Sequence, residues 1–376
     1  MLNPKLFFNN LKKENIIFFS GVPDSLLINI CNYISDNTAD NAHIIAANEG
    51  NALSIGIGYH LATKNLPLVY MQNSGLGNII NPLLSLADQD VYSIPMLLMI
   101  GWRGEPDMPD EPQHKKQGRI TLELLESMEI PFYILSSDTS DEEANQIIQE
   151  AVIYAKDNNS PYVLLVKKGT YTNYILKTHI RSDSTLYREE AIKLIVNSLN
   201  DLDIVVSTTG FASRELFEYR ETLGQGHKKD FLTIGGMGHA SQIALGIALQ
   251  KPNRLVYCLD GDGSILMHMG SLAINGNANC DNLKHIVLNN GSHDSVGGQP
   301  TVALQIDLKS IATSMGYDKV IQASNKSDVK GALKELQKFK GKVLLEIIIK
   351  KGSRSDLGRP TITPYENKKA FMEFIK

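Results

Sequence analysis

A chain of 376 residues with 37 Lys+Arg against 41 Asp+Glu carries a net charge of −4, which excludes a basic nucleic-acid-binding surface as its main feature. At about 150 residues per domain, the length predicts two or three domains, each large enough for its own core. Cys31, Cys258 and Cys280 lie too far apart for a disulfide framework or a CxxC metal site. No run approaches the roughly 18 apolar residues that span a bilayer, and the charged N-terminus has no signal-peptide core, so a cytoplasmic enzyme of small molecules is expected.

Short apolar runs alternate with segments of helical period. Ile16–Phe19, His43–Ala47, Leu68–Met71, Pro95–Ile100 and Val163–Val166 are the predicted strands of a parallel sheet covered on both faces. Asp24–Tyr33, Asn51–Thr63 and Asp141–Lys156 are predicted helices, with Asp24 and Asp141 as N-caps. A polar stretch, roughly Thr170–Leu186, has no period and places a junction near residues 175–187. Beyond it come strands Ile204–Ser207, Phe231–Ile234, Leu255–Leu259, His285–Leu288 and Val343–Ile349. Helices Ala212–Arg220, His239–Leu249, Ser264–Asn275, Leu308–Gly316 and Asp328–Lys338 lie between and around them. The alternation implies right-handed βαβ units. It predicts an α/β fold of two doubly wound parallel-sheet domains, 1–176 and 187–376, alike in pattern without an exact repeat.

In such sheets the chemistry sits at the carboxyl ends of the strands. One strand there ends in Asp260-Gly261-Asp262-Gly263-Ser264, and the next ends in Asn289-Asn290-Gly291-Ser292, with 25 residues between Gly263 and Asn289. Asp262 offers a carboxylate, Asn290 an amide oxygen, and the chain beyond a backbone carbonyl, a hard-oxygen set suited to Mg²⁺. Gly261 and Gly263 let the backbone approach a diphosphate, and a helix opening at Ser264 would aim N–H groups at it. A lone GDG is also a common turn; the pair of motifs after two strands is far more specific. An EF-hand is excluded, as are the G-x-G-x-x-G and P-loop fingerprints.

The paired motif resembles the cofactor signature of the thiamine diphosphate-dependent decarboxylases. That resemblance implies thiamine diphosphate and Mg²⁺ as cofactors, with Asp262, Asn290 and the carbonyl of Ser292 as metal ligands. It also implies an activating Glu beside the aminopyrimidine, a role that falls on Glu49 in Asn48-Glu49-Gly50; taken alone, Glu49 reads as complementing a helix dipole. Met237 in Gly235-Gly236-Met237-Gly238 matches the apolar wedge of the V-shaped cofactor, and the Gly235 carbonyl would hold its amino group; the plain alternative is a core Met in a glycine-rich turn. Thr209 and Ser264 are further diphosphate donors. In the family the Glu and the diphosphate site come from different subunits, so a homodimer interface is implied, and no room is left for the usual middle domain.

Gly21-Val22-Pro23-Asp24-Ser25, Asn73-Ser74-Gly75-Leu76-Gly77-Asn78, Gly101-Trp102-Arg103-Gly104-Glu105 and Asp110-Glu111-Pro112-Gln113-His114 resemble the phosphonopyruvate decarboxylase branch, with sulfopyruvate decarboxylases and acetolactate-type carboligases as the alternatives. The substrate implied is a 2-oxo acid with a second anionic group, which calls for Arg or paired donors. Arg103, His114, Ser25 and Asn73 are the candidates, whereas Lys115 and Lys116 read as solvated. Asp24 is either an N-cap or, with His114, a proton donor in catalysis. His293, in a Gly-rich segment 291–301 that reads as a lid, is either a pocket residue or simply part of it.

Overall fold

The computed structural model describes residues 1–177 and 184–376, so part of the junction expected near 175–187 lies outside the described residues. The chain divides into two compact units, Met1–His179 with Val296–Gln299, and Ile180–Ser295 with Pro300–Lys376.

The first unit has strands β1 (Phe19–Gly21), β2 (His43–Ile45), β3 (Leu68–Gln72), β4 (Leu97–Gly101), β5 (Phe132–Leu135) and β6 (Tyr162–Val166). They form one sheet in the order β2-β1-β3-β4-β6-β5, every pairing parallel. Its helices are α1 (Pro4–Lys13), α2 (Ile28–Asn37), α3 (Glu49–Thr63), α4 (Leu76–Pro82), α5 (Pro112–Ser127) and α6 (Asp141–Asn158). Side chains alternate across a strand, so the apolar runs feed two cores. Leu68, Tyr70, Leu97, Met99, Leu164 and Val166 join α1, α2 and α6 on one face. Val69, Met71, Leu98, Ile100, Val163 and Leu165 join α3, α4 and α5 on the other.

The second unit has α7 (Arg188–Ser198), β7 (Ile204–Ser207), α8 (Phe211–Thr222), β8 (Asp230–Leu232), α9 (Ala240–Gln250), β9 (Val256–Gly261), α10 (Asp262–Met267), α11 (Ser271–Asn277) and β10 (Leu283–Asn289). It continues with α12 (Leu308–Ser314), β11 (Lys319–Ala323), α13 (Lys326–Lys338), β12 (Val343–Ile348) and α14 (Pro364–Phe374). Its sheet, also parallel throughout, runs β11-β12-β10-β9-β7-β8. Counted from its own first strand and read from the other edge, that is 2-1-3-4-6-5, the order of the first sheet. The likeness of pattern between the halves is therefore a likeness of topology. No middle domain is present among the described residues.

The structure corrects several local expectations. Asp141 is not a cap: Ser140 caps α6 in a capping box with Glu143, while the Asp141 carboxylate accepts from the Asn3 backbone at 3.1 Å. Helix α2 starts at Ile28, not Asp24, although Asp24 still accepts from the Leu26 and Leu27 N–H groups at 2.9 and 3.2 Å. The single helix expected over Ser264–Asn275 is two short ones, broken where His268 leaves helical geometry at φ −135° and ψ 51°. Strands β5 and β11 and helices α1, α4, α5, α7 and α14 lie where the sequence pattern predicts no element.

Candidate active site

In the second unit the ends of β7, β9 and β10 open on one cleft. It is lined by Thr208, Thr209, Met237, Gly261, Asp262, Gly263, Ser264, Asn290, Ser292 and His293, together with Arg188, Asp294 and others. Most of the residues singled out in this half thus share one concavity; Gly235 does not line it. A Cβ at Gly261 would meet no heavy atom within 4 Å, so the turn leaves open space where a backbone-bound anion would lie. At Gly263 a Cβ would come within 2.9 Å of the His293 ring, so that glycine makes room for the imidazole.

Asp262 is 3% exposed, and its Oδ2 accepts from Thr301 Oγ1 at 2.5 Å. Burial pushes its carboxyl up to about 6; the Thr301 hydroxyl and the Gly263 and Asp262 backbone N–H groups oppose that, and the nearby Asp294 charge adds to it. Asn290 donates to Asp294 Oδ2 at 2.8 Å, and its Oδ1 accepts from the Ser292 N–H at 2.9 Å. Asp294 is in turn held by Arg188 Nη1 at 3.2 Å and by the Gly352 N–H at 2.9 Å, while Arg188 grips Glu215 through Nε and Nη2. A carboxylate driven upward by burial, beside an amide oxygen and a second carboxylate, is a donor set that fits a divalent cation. Thr208 Oγ1 donates to Ser264 Oγ at 3.1 Å, and the same Oγ accepts from the Gly238 N–H at 3.0 Å, tying three strand ends together. The helix expected to open at Ser264 opens two residues earlier, at Asp262, and α10 runs only to Met267. The supposed lid is closed at its base by a Ser292–Pro300 bridge and by the Thr301 N–H on the Gly291 carbonyl.

In the first unit Glu49 opens α3, whose N-cap is Asn48. Its side chain is 6% exposed, and Asn78 Nδ2 donates to its Oε2 at 2.6 Å. It packs so closely on Gly75 that a Cβ there would lie 2.5–2.7 Å from the Glu49 side chain. A merely dipole-complementing Glu would need no such fitted seat.

A second polar network occupies the ends of β1, β3 and β4 in the same unit. Asp24 is fully buried, in space that exists because Gly101 has no side chain, and Gln72 Nε2 donates to its Oδ1 at 2.5 Å. Burial raises the Asp24 carboxyl, opposed by hydrogen bonds from Gln72, Leu26 and Leu27 and by the Arg103 charge. Arg103 donates from Nη1 to Ser25 Oγ at 2.7 Å and from Nε and Nη2 to Asp110. Asn73 clasps the Arg103 backbone on both sides, N–H and carbonyl, and reaches Thr121. His114, expected on the loop, stands in the first turn of α5, and Lys115 and Lys116 are exposed there. Gln72, Thr301, Arg188 and Asp294 carry no motif of their own, and Arg188, which opens α7, is not even near a strand end; Asp110 lies in the Asp110–His114 motif, where only His114 stands out as a candidate.

Known proteins resemble this chain in both of its halves. The thiamine pyrophosphate enzyme N-terminal TPP binding domain matches residues 4–124, and the C-terminal TPP binding domain matches residues 209–347. Phosphonopyruvate decarboxylase of Streptomyces viridochromogenes is 34% identical over 371 residues, covering 95% of this chain and 90% of its own. Sulfopyruvate decarboxylase of Methanosarcina acetivorans is 26% identical over 388 residues, covering 97% and 95%. The subunit beta of sulfopyruvate decarboxylase from Methanocaldococcus jannaschii is 33% identical over 190 residues, 50% of this chain and 97% of its own. No helix among the described residues is long and apolar enough to cross a membrane. With both cofactor-binding domains matched and a decarboxylase relative aligned along nearly its whole length, this chain belongs to the thiamine diphosphate-dependent decarboxylases.

Proposed function

We propose that the chain decarboxylates 3-phosphonopyruvate to phosphonoacetaldehyde and carbon dioxide, with Mg²⁺ beside thiamine diphosphate, in the cytoplasm and in the service of phosphonate (2-aminoethylphosphonate) biosynthesis. One observation carries the substrate: the phosphonopyruvate decarboxylase of Streptomyces viridochromogenes stands at 34% identity over 95% of the chain, above the 26% of the full-length sulfopyruvate decarboxylase. 3-Sulfopyruvate is the second reading, favoured by that latter likeness.

Asp262, Asn290 and the Ser292 carbonyl would hold the metal, and Thr209, Ser264 and the Gly261–Gly263 turn would hold the diphosphate. Gly235 and Met237 would support the rings. When bound, thiamine diphosphate supplies a nucleophilic carbon and an electron sink for loss of carbon dioxide. Glu49, held at Oε2 by Asn78, would exchange a proton with the cofactor's ring nitrogen. Arg103 and Ser25 orient the second anionic group, and Asp24 or His114 delivers the proton that replaces carbon dioxide. Self-association, one copy lending Glu49 to the diphosphate site of another, completes the reading.

The test supplies purified protein with thiamine diphosphate and Mg²⁺, then phosphonopyruvate, sulfopyruvate or pyruvate separately. Aldehyde formation is expected to be fastest from phosphonopyruvate; a higher kcat/KM for sulfopyruvate overturns the substrate. Sedimentation at micromolar protein is expected to show no monomer.

A further inference from the structure

The Asp110 carboxylate is surrounded by four converging donors. Arg103 Nε reaches its Oδ2 at 2.8 Å and Arg103 Nη2 its Oδ1; the Gly104 N–H reaches Oδ2 at 2.8 Å and the Glu111 N–H reaches Oδ1 at 2.7 Å. Two guanidinium N–H groups and two backbone N–H groups around one point make an anion-binding nest. The nest itself is fixed. Asn73 clasps the Arg103 backbone, and Ser25 takes the remaining Nη1. Gly104 crosses α5 so closely that a Cβ on Gly118 would lie 1.7 Å from the Gly104 carbonyl oxygen. The segment that delivers Asp110 is different: Pro106, Asp107, Met108 and Pro109 are all exposed, and Asp107 sits at φ +65°.

We propose that Asp110 is an internal anion seated in this nest in the substrate-free chain, and that the second anionic group of the substrate displaces it. The inference rests on the reading of a dianionic substrate given above. The exchange is of ion pairs alone: the carboxylate leaves to solvent, and the incoming group takes its four donors.

An internal competitor weakens every anion by one common factor, because it reduces the fraction of chains whose seat is open. It therefore sets a threshold, not a ratio. A monoanion held by the same donors gains less Coulomb energy than a dianion and falls below useful affinity, whereas a phosphonate clears the threshold. Asp110 thus leaves the ranking of anions to the donors of the seat and lowers the occupancy of all of them alike, so that only the most strongly held, doubly charged end fills the seat at modest concentration.

Trp102, the one tryptophan of the sequence, adjoins Arg103, and its Nε1 donates to the Gly118 carbonyl at 2.8 Å. Its emission reports the seat without turnover. Holoenzyme at about pH 8 is titrated with methylphosphonate and with methanesulfonate. Wild type is expected to give a saturable change, with methylphosphonate the tighter ligand, and Arg103→Met to abolish it. Asp110→Asn is expected to tighten both probes by the same factor, about fivefold, the scale of a half-screened ion pair. Asp110→Ala, checked for folding by thermal melt, is expected to do the same.

Weaker binding in both Asp110 variants, or no change, overturns the inference, since Asp110 would then position Arg103 or be irrelevant to it. A response that survives Arg103→Met also overturns it. If wild type turns over phosphonopyruvate while the Asp110 variants fail to tighten, the inference falls and the function stands. If the variants tighten but no dianionic 2-oxo acid is turned over, the seat stands and the function falls.

Discussion

Two buried aspartates at strand ends, Asp24 in the first unit and Asp262 in the second, solve one problem in opposite ways. Both sheets have the same strand order, and burial raises both carboxyls. Asp24 meets donors on every side, from Gln72, Leu26, Leu27 and Ser25, and belongs to a network that runs on through Arg103 to Asp110. Asp262 has Thr301 and backbone N–H groups on one side and the like charge of Asp294 nearby. The first carboxylate is hydrogen-bonded within the chain before anything binds; the second is left to be balanced by what it binds. A shared topology therefore says where chemistry can sit, and the partners supplied by loops decide how far a site is assembled in advance.

The largest expected effect breaks the comparison at Glu49. Glu49→Gln is expected to lower kcat/KM by about 10²–10⁴, the usual worth of a positioned acid–base group, while leaving the melting temperature within a few degrees. Full activity in that variant sinks the mechanism.

The two aspartates should then respond with opposite signs. A folded-state pKa of about 6 against an ordinary 3.8 means that the folded chain favours protonated Asp262, so its contribution to stability is present below about pH 4 and lost as pH rises through about 6. Asp262→Asn is thus expected to stabilise the cofactor-free protein at pH 7 by up to about 3 kcal/mol, with Thr301 turning to accept from the new amide. Added Mg²⁺ and thiamine diphosphate should raise the melting temperature of wild type and not of the variant. Asp24→Asn is expected to destabilise by about 1–3 kcal/mol, because its new N–H₂ faces donors. Urea titrations of both variants decide the matter; the same sign in both dissolves the contrast.

The smallest effect concerns acid. Burial pulls His43, whose Nε2 meets the Tyr70 hydroxyl at 2.8 Å, down to about 4. Its folded pKa lies below the ordinary 6.5, so its contribution is complete above that value and lost as pH falls towards 4. His43→Gln should flatten this acid limb by about 2 kcal/mol, discounted for the ring's partial exposure, in melts taken between pH 4 and 7.

Strands that feed two cores were readable because continuous apolar runs leave little else for the chain to do: Leu68–Gln72 and Val343–Ile348 fall within a residue of expectation. Helix α5 was hidden by its composition, Pro-Gln-His-Lys-Lys-Gln-Gly-Arg at its start, which mimics a solvated loop. Strand β1 starts later than the run Ile16–Phe19 because Asn15 turns the chain at φ 62° and Ile17 faces solvent. At the site, contiguous motifs such as Gly261–Ser264 were legible, since a turn places its own neighbours. Arg188 lines the same cleft from α7 and Thr301 reaches Asp262 from beyond the 291–299 segment, and no spacing rule announces such partners. Arg103 was legible as an anion binder; that Asp110, seven residues on, would occupy it was not.

The crossing of Gly104 over Gly118 has a use beyond this molecule. A Cβ at either would run into backbone, 1.9 Å from the His114 carbonyl oxygen for Gly104 and 1.7 Å from the Gly104 carbonyl oxygen for Gly118. The two positions are 118 − 104 = 14 residues apart, and neither can accept a side chain unless the loop lifts off its helix. In another chain, a Trp-Arg-Gly followed by Gly at that interval is therefore expected to lay the same loop over its helix. Loss of either glycine marks a paralogue whose loop takes another course.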